Sequence, residues 1–403
     1  MFCRGAMSVL CLTVALFVAV SPVQAVSAAD ATHGVVCEEW IEVAQDGSEH
    51  EVPARSRPTP ARGAPNGSIA DSKAATFQPG FRLQTRYAYD GAKGKHDLFI
   101  PRLRLKAKGQ LFHVFRYYVE FRVDNVAQSG KDPKAQLENT WIEYSVTPDL
   151  ALRAGLFDVP FSRNALTSDS KLLLMDRSLI KDALTSLGLA DNTIGLLSYG
   201  RPFGGRFEYS AGIFNNEKFR KIGAPAANRS GYLMPAGRVA FHFLDRAPSG
   251  GYADYQSSYV GRGKKLSVGA NSVYLSKARD HSNEFNVFAW GTDVFFSAGP
   301  FTLEAEYDCL RKHFLNANPN IRTDGWYVQT GYLVWRRLEF TARHQQLDPN
   351  AFVAGNGLRW TSVGLNIYIR GHNLKAQLDY TFRRGPGQPA RTGVLQMQMQ
   401  ADY

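Results

Sequence analysis

Polar and apolar residues alternate along the last nine residues of the chain. Residues 395–403 read LQMQMQADY, with every second residue apolar and the aromatic Tyr403 at the end. Because successive side chains of a β-strand point to opposite faces, this period of two predicts a strand with one apolar face. Such a strand suits a half-buried soluble sheet. It also suits a barrel that crosses a membrane, where a strand needs about nine to eleven residues.

The same alternation recurs from Phe77 onward and predicts sixteen strands. They are residues 81–89, 99–108, 115–123, 139–146, 152–159, 193–199, 206–214, 238–243, 266–275, 286–296, 301–309, 327–334, 338–345, 361–369, 374–382 and 395–403. Bacterial outer-membrane barrels contain an even number of antiparallel strands. The pattern therefore predicts an all-β fold, a transmembrane antiparallel β-barrel of about sixteen strands over residues 76–403.

The connections between the predicted strands alternate between short and long. Short periplasmic turns and longer outer loops are the usual arrangement of outer-membrane barrels. The longest connection, residues 162–191, is rich in Leu and follows the fifth predicted strand. It forms either a helical cap on the outer rim or a third loop that folds into the lumen. We favour the inward-folded loop, because long loops held by a rigid scaffold often carry function.

The amino-terminal residues 1–28 have the features of a secretory signal peptide. Arg4 supplies a positive start, residues 8–20 form an apolar core, and small residues near Ala28 suit cleavage. That core is shorter than the roughly twenty residues that a spanning helix needs. We therefore predict export to the bacterial outer membrane. Residues 29–75 are predicted to form a periplasmic segment and flexible linker. Within it, residues 38–52 form either a short hairpin or no regular structure.

The composition agrees with an exported barrel and argues against a nucleic-acid partner, a disulfide and a metal site. The chain of 403 residues carries a net charge of +11, which would suit nucleic acid, but export and the lack of any nucleic-acid motif argue against that partner. Cys37 and Cys309 are predicted on opposite sides of a membrane core about 30 Å thick, so we predict no disulfide. No cofactor or metal site is predicted, because no Cys or His cluster has metal-ligand spacing.

Strand parity turns the charges of the first three strands inward. A lipid-facing Arg or Lys near mid-membrane costs about 2–4 kcal/mol, so the apolar faces must contact lipid. The basic residues on the inward faces are Arg82, Arg86, Arg102, Arg104, Lys106, Lys108, Arg116 and Arg122. Rings of Arg and Lys select anions in pores, so these residues predict an anion-binding wall. Alternatively, they only solvate a wide lumen or pair with acids. Glu304, Glu306 and Asp308 also face inward, on the eleventh predicted strand.

Four stretches of the chain resemble the phosphate-selective porin O and P family. They are residues 102–112 (RLRLKAKGQLF), 141–162 (WIEYSVTPDLALRAGLFDVPFS), 166–178 (LTSDSKLLLMDRS) and 371–380 (GHNLKAQLDY). The resemblance implies a sixteen-stranded barrel that assembles as a homotrimer and passes anions or phosphate. It also implies an arginine ladder at Arg82, Arg102 and Arg104, with Lys171 and Arg177 as basic positions of the third loop.

The chain departs from the family pattern at two positions. Family members often carry a second Arg before the one matched by Arg102, where this chain has Pro101. They often carry Lys before the Val-Pro-Phe exit of the fifth strand, where this chain has Asp158. Both changes remove positive charge from the expected constriction.

Together these observations predict an outer-membrane porin for passive diffusion of small anions, with phosphate or polyphosphate as candidate substrates and outer-membrane lipid around it. The alternative is a general diffusion channel without phosphate specificity. A barrel enzyme is a weaker alternative, because Glu304 and Glu306 could act as acid and base but no nucleophile motif accompanies them. A purely structural barrel is a further one. We predict no catalytic residues.

Overall fold

The described residues of the computed structural model, 75–112, 114–216, 232–247, 251–280, 283–316, 318–386 and 392–403, form a closed antiparallel barrel of sixteen strands. The strands are β1 (Gln78–Asp90), β2 (Lys95–Leu111), β3 (Phe115–Val126), β4 (Lys134–Thr147), β5 (Leu150–Asp158), β6 (Asn192–Gly200), β7 (Phe207–Phe214), β8 (Met234–His242), β9 (Lys264–Asp280), β10 (Asn283–Ala298), β11 (Phe301–Phe314), β12 (Ile321–Trp335), β13 (Leu338–Asp348), β14 (Leu358–Arg370), β15 (Leu374–Arg384) and β16 (Thr392–Asp402). Each strand pairs with its neighbours in sequence, and β1 pairs with β16. Closure leaves no strand edge unpaired, which satisfies the backbone groups of a sheet in lipid.

Each of the sixteen predicted strands coincides with one of these strands, so the prediction of the fold is confirmed. The predicted signal peptide (1–28), most of the predicted linker (29–75) and Cys37 lie outside the described residues. Cys309 lies on β11 and is buried. No helix in the described ranges is both long enough and apolar enough to cross a membrane.

Alternation separates the two faces of the wall as expected. On β13 and β14, the outward Phe340 and Val363 are exposed, whereas the inward Arg343 and Ser362 are buried. Aromatic side chains gather near both ends of the outward face. Trp290 packs against Tyr307 towards one end, and Phe296 packs against Phe301 at the other. Aromatic side chains of this kind form the girdles at the membrane interfaces of a barrel.

The connection between β5 and β6, residues 159–191, contains most of the helical structure. It holds α1 (Arg163–Leu166), a short 3-10 turn (Asp169–Lys171) and α2 (Leu179–Ser186). We call these residues the β5–β6 loop. Ser162 and Ser178 cap the two helices through their side chains, which accept from the backbone N–H groups of Ala165 and Lys181. A further single turn, α3 (Pro202–Gly205), joins β6 to β7.

The sequence analysis missed a second long insertion, residues 243–263 between β8 and β9. We call it the β8–β9 segment, and its residues 248–250 lie outside the described part. It begins at the end of the barrel where the other connections are short, yet it contacts the β5–β6 loop. Tyr255 forms a parallel bridge with Thr167, and the Ser257 N–H donates to the Lys171 carbonyl at 3.1 Å. The two insertions therefore support each other.

The seam between β1 and β16 generates a stability prediction. A Cβ added to Gly80 would meet the Tyr403 carbonyl oxygen at 2.5 Å, closer than real contacts allow. The same carbonyl accepts the Phe81 N–H at 2.8 Å. The substitution Gly80→Ala should therefore weaken barrel closure. We expect a lower unfolding temperature, measured by the heat-dependent shift of the folded barrel on a denaturing gel.

The control substitution is Gly237→Ala, because an added Cβ there lies 3.4 Å from its nearest neighbour. It should leave the unfolding temperature nearly unchanged. Equal effects of the two substitutions would contradict the role of the seam.

Candidate functional site

Side chains of the barrel wall hold the backbone of the β5–β6 loop. The Asn366 side-chain amide donates to the Leu173 carbonyl at 2.8 Å, and the Lys375 ammonium donates to the Leu172 carbonyl at 3.0 Å. In the other direction, the Met175 N–H donates to the Asp379 carboxylate at 2.7 Å. These wall residues all point inward from β14 and β15. The loop therefore runs against the inner face of the barrel.

Apolar packing fixes the same loop against the wall. Four consecutive side chains, Leu172 to Met175, are at most 2% exposed. Burial of such a side chain contributes about 1.5–3 kcal/mol. Two wall positions without a side chain make room for the loop. A Cβ added to Gly325 would lie 2.6 Å from Ile180, and one added to Gly331 would lie 3.1 Å from Leu173 and 2.6 Å from the Glu339 carboxylate.

One loop carboxylate, Asp169, is the meeting point of three arginines. Its oxygens lie 2.9 Å from Arg102 Nε, 2.8 Å from Arg177 Nη2 and 3.7 Å from Arg104 Nη2. Burial alone would raise the pKa of Asp169, but these guanidinium groups outweigh burial and hold the pKa well below its usual range. Asp169 therefore stays ionised and ties the loop to β2.

A second loop carboxylate, Asp176, ties the loop to β1. Arg86 donates to it at 2.7 Å and also binds the Gln398 side chain at 2.8 Å. Burial would raise the pKa of Asp176, but the charge and hydrogen bond of Arg86 lower it to about 2. Arg86 itself is buried, whereas the Asp176 side chain is 45% exposed. This pair forms part of the loop surface that faces water.

Each of the nine predicted site residues has a carboxylate partner. The remaining pairs are Arg82 with Asp402, Lys106 with Asp402, Arg104 with Glu120 and Asp124, Arg116 with Glu143, Arg122 with Glu138, and Lys171 with Asp254. Their contacts therefore agree with the alternative stated from the sequence, in which these basic residues pair with acids. Lys108 also has a bonding partner. The separation of two residues along the chain does not reveal these pairs. Arg82 and Asp402, for example, lie 320 residues apart.

Exposure to water differs sharply around the inner face. On β2 to β4 most inward cations keep contact with water, and the exposed fractions of the Arg102 and Arg116 side chains are 20% and 29%. Arg104 is the exception, because its side chain is only 2% exposed. On most of β6 to β16 the described inward side chains are buried, because the two insertions cover them. The Gln345 and Asn366 side chains, for example, are at most 1% exposed. The accessible strip of the inner face thus runs along β2, β3 and β4.

The acidic row on β11 lies under the β5–β6 loop. Glu304, Glu306 and Asp308 point inward as predicted, but all three are buried. The Asn164 N–H donates to Glu306 at 2.9 Å, and the Tyr327 hydroxyl donates to Glu304 at 2.6 Å. These acids therefore do not contribute to the accessible strip. Because the loop covers them, they do not face the basic wall across open water.

The two departures from the family pattern have structural consequences. Pro101 lies at a β-bulge, where β2 carries one extra residue between the partners of Gln84 and Arg86. Proline suits a bulge because it lacks an N–H for the ladder. Asp158 ends β5, and its carbonyl accepts a hydrogen bond from Tyr252 of the β8–β9 segment at 2.9 Å. Pro101 thus lies at an irregularity of β2, and Asp158 connects the end of β5 to the β8–β9 segment.

Sequence reasoning missed three residues that organise this site. Asp169 carries the arginine cluster, and Arg163 lies over the ring of Phe295 at 4.2 Å and 3.8 Å from Glu304. Tyr255 of the β8–β9 segment receives a hydrogen bond from Arg238 at 3.2 Å. Only Asp169 had a usable signal, since it lies within the matched stretch 166–178 of the third loop. No group of three or more His, Cys, Asp or Glu in the described ranges is placed to hold a metal ion.

The model of the family described as phosphate-selective porin O and P matches residues 77–403. The chain belongs to this family. Its fold and family are those of outer-membrane porins. The suspected resemblance is confirmed.

A curated relative is distant in sequence. An uncharacterized protein of Aquifex aeolicus (strain VF5) is 26% identical over 267 residues, which cover 60% of this chain. The porin spans only 61% of the length of that curated relative.

Solved porin structures share the fold at low identity. The complex of Salmonella typhi OmpF with daunomycin matches with a TM-score of 0.60 at 10% identity, covering 82% of this chain and 99% of that chain. The anion-selective porin from Comamonas acidovorans matches with a TM-score of 0.53 at 12% identity, covering 82% of this chain and 100% of that chain. The trimer form of OmpT from Vibrio cholerae matches with a TM-score of 0.56 at 12% identity, with the same coverage.

The carboxylates that hold the loop predict how the porin responds to acid. The lowered pKa of Asp176, about 2, means that its stabilising contribution is complete above about pH 4 and is lost as the pH falls towards 2. Asp169 follows the same direction. We therefore expect steady single-channel conductance from neutral pH to about pH 4 and growing fluctuations below it.

The substitution Asp169→Asn should produce those fluctuations at neutral pH, because it removes the charge that three arginines share. The control is Asp182→Asn, which changes an exposed acid of the same loop and should behave as the wild type. A wild-type channel that already fluctuates at pH 6 would argue against the carboxylate clamp.

Proposed function

We propose that this porin passes small anions along the accessible strip of β2 to β4, with a moderate preference over cations. The observation that carries the proposal is the unequal exposure of the two signs of charge. The Arg116 side chain is 29% exposed, while its partner Glu143 is 1% exposed. Arg122 is likewise more exposed than Glu138, at 19% against 13%. Water in the strip therefore meets more positive than negative charge.

The carboxylate partners of these arginines favour passage of an anion over tight binding of it. Guanidinium groups can replace part of the hydration of an anion, and their fork geometry suits carboxylate and phosphate oxygens. Each of these arginines already holds a carboxylate, so a passing anion competes with an internal one. Arg102, for example, lies 2.9 Å from Asp169. Such competition lowers the barrier to an anion without trapping it.

We propose a general anion channel in which phosphate is one permeant ion rather than a selected one. Pro101 stands where relatives often have a further Arg, and Asp158 stands where they often have Lys. The loop acids Asp169 and Asp176 add negative charge at the same place. Phosphate and polyphosphate remain candidate substrates, and block of the chloride current by low concentrations of phosphate would contradict this lack of selection.

We also propose that three copies of the porin assemble as a homotrimer surrounded by outer-membrane lipid. The trimer form of Vibrio cholerae OmpT, which has the same fold, supports this assembly by analogy. Chemical crosslinking in a mild detergent should yield trimers, and a monomer alone would contradict the proposal.

The proposed selectivity is tested by the reversal potential in a salt gradient across a planar bilayer. The wild-type channel should show a moderate anion preference that weakens at high salt, because screening shortens the range of the fixed charges. The double substitution Arg116→Gln and Arg122→Gln should move the reversal potential towards cations. Glu143 keeps its partner Arg153 at 2.6 Å in that variant, so the wall retains one of its pairs.

The control substitution is Arg279→Gln, whose side chain is 75% exposed at the end of β9 and away from β2 to β4. It should leave the reversal potential unchanged. A wild-type reversal potential on the cation side would refute the proposed selectivity, whatever the variants do.

A further inference from the structure

A basic cleft lies at the rim of the barrel, outside the accessible strip. It has a volume of about 290 Å³. It is bounded by the last residues of β11, the first residues of β12 and the connection after β13. Its lining residues are Arg311, Lys312, His313, Asn320, Ile321, Arg322 and Phe352. The set contains two arginines, a lysine and a histidine but no acid. Its size is at the small end of ligand pockets, which range over about 300–1,000 Å³, so it suits a compact group.

Two arginines face each other across this cleft. Arg311 and Arg322 are direct partners in the register of β11 and β12, on the outward face of the barrel. Like charges placed directly opposite on neighbouring strands destabilise a sheet. Asp324 compensates Arg322, with its carboxylate 2.8 Å from Arg322 Nε. Arg311 is exposed and forms no ion pair with the described residues. The two arginines together therefore keep a net positive charge.

The height of the cleft points to the headgroup region of the membrane. Along the outward face of β11, Tyr307 of the aromatic girdle precedes Arg311 by four residues, and on β12 Arg322 precedes Trp326 of the same girdle by four residues. Aromatic girdles lie at the membrane interface, so charges just beyond them meet headgroups. This end of the barrel carries the long loops, which face the cell exterior in outer-membrane barrels.

The groups around the cleft suit an anionic group attached to an apolar molecule. Lys312 borders the cleft from the inner face, where its ammonium lies 3.7 Å from the centre of the Phe285 ring, so Arg311 and Arg322 are the arginines on the outward side. Phe352 is 69% exposed at the edge of the cleft. Basic pockets next to apolar surface bind phosphorylated headgroups in other membrane proteins.

We propose that this cleft binds a phosphate monoester, carried by the headgroup of an outer-leaflet lipid. Arg311 and Arg322 would each donate to the phosphate oxygens, and the phosphate charge would relieve their repulsion. Free phosphate offers the same chemistry, and the experiment separates the two sources. The proposal concerns a site outside the lumen and does not depend on the conducted ion.

The test measures bound lipid on the whole purified porin by native mass spectrometry in mild detergent. The probes are diphosphorylated lipid A, the same lipid without its phosphates, and inorganic phosphate. The substitution Arg311→Glu should weaken retention of diphosphorylated lipid A about tenfold or more, since a charge-assisted hydrogen bond is lost and repulsion is added. The fold should survive, because a Glu at this position would face Arg322 and could pair with it.

The control substitution is Arg336→Gln, which removes an exposed arginine at the opposite end of β12 and should leave lipid retention unchanged. Preference of the wild type for phosphorylated over dephosphorylated lipid A supports a lipid-borne ligand. A rise in unfolding temperature with inorganic phosphate alone, lost in Arg311→Glu, supports the phosphate site with a free ligand. If neither lipid A retention nor the phosphate effect depends on Arg311, the proposal is overturned.

Discussion

The structure depends on one constraint, that charged side chains on the membrane-spanning strands must face away from lipid. An Arg or Lys at the lipid face near mid-membrane costs about 2–4 kcal/mol, so the cations of β1 to β3 crowd the inner face. Inside the barrel they repel one another unless carboxylates lie between them. Asp169, Asp176 and Asp402 supply much of that compensation. Two of these three come from the β5–β6 loop, so the same electrostatics that fix the wall also dock the loop.

Docking of the loop has an unequal effect on the two sides of the lumen. It covers the acidic row of β11 and much of the inner face of β6 to β16, together with the β8–β9 segment. It leaves most cations of β2 to β4 in contact with water, with Arg104 as the buried exception. Under the proposed function, a barrel whose inner face carries both signs of charge would present mainly the positive one to a permeating ion. Selectivity in this account arises from which charges are covered, more than from how many the sequence contains.

The strands were predictable because a period of two is a local property. The alternation of Leu103 and Leu105 with Arg102 and Arg104 is visible in the sequence alone, and the cost of charge in lipid fixes its direction. The position of the β5–β6 loop could be expected from its length and its Leu residues.

The pairings within the site could not be predicted in the same way. Asp169 meets Arg102 only because the loop folds back, and Arg82 meets Asp402 only because the barrel closes. The β8–β9 segment has no period and starts on the side where turns are short. Nothing local distinguishes it from a surface loop, although Tyr255 and Ser258 become buried.

The central claim is that water and ions follow the β2 to β4 wall while the opposite wall is covered. It is tested most directly by the accessibility of single cysteines to a small charged thiol reagent, in a background with Cys37→Ser and Cys309→Ser. The account predicts that the Arg122→Cys variant reacts from the aqueous phase and that its conductance falls on reaction. The Gln345→Cys variant should not react, because Gln345 is 1% exposed and bonded to the loop backbone at Leu179. Equal reaction rates at the two positions would contradict the account.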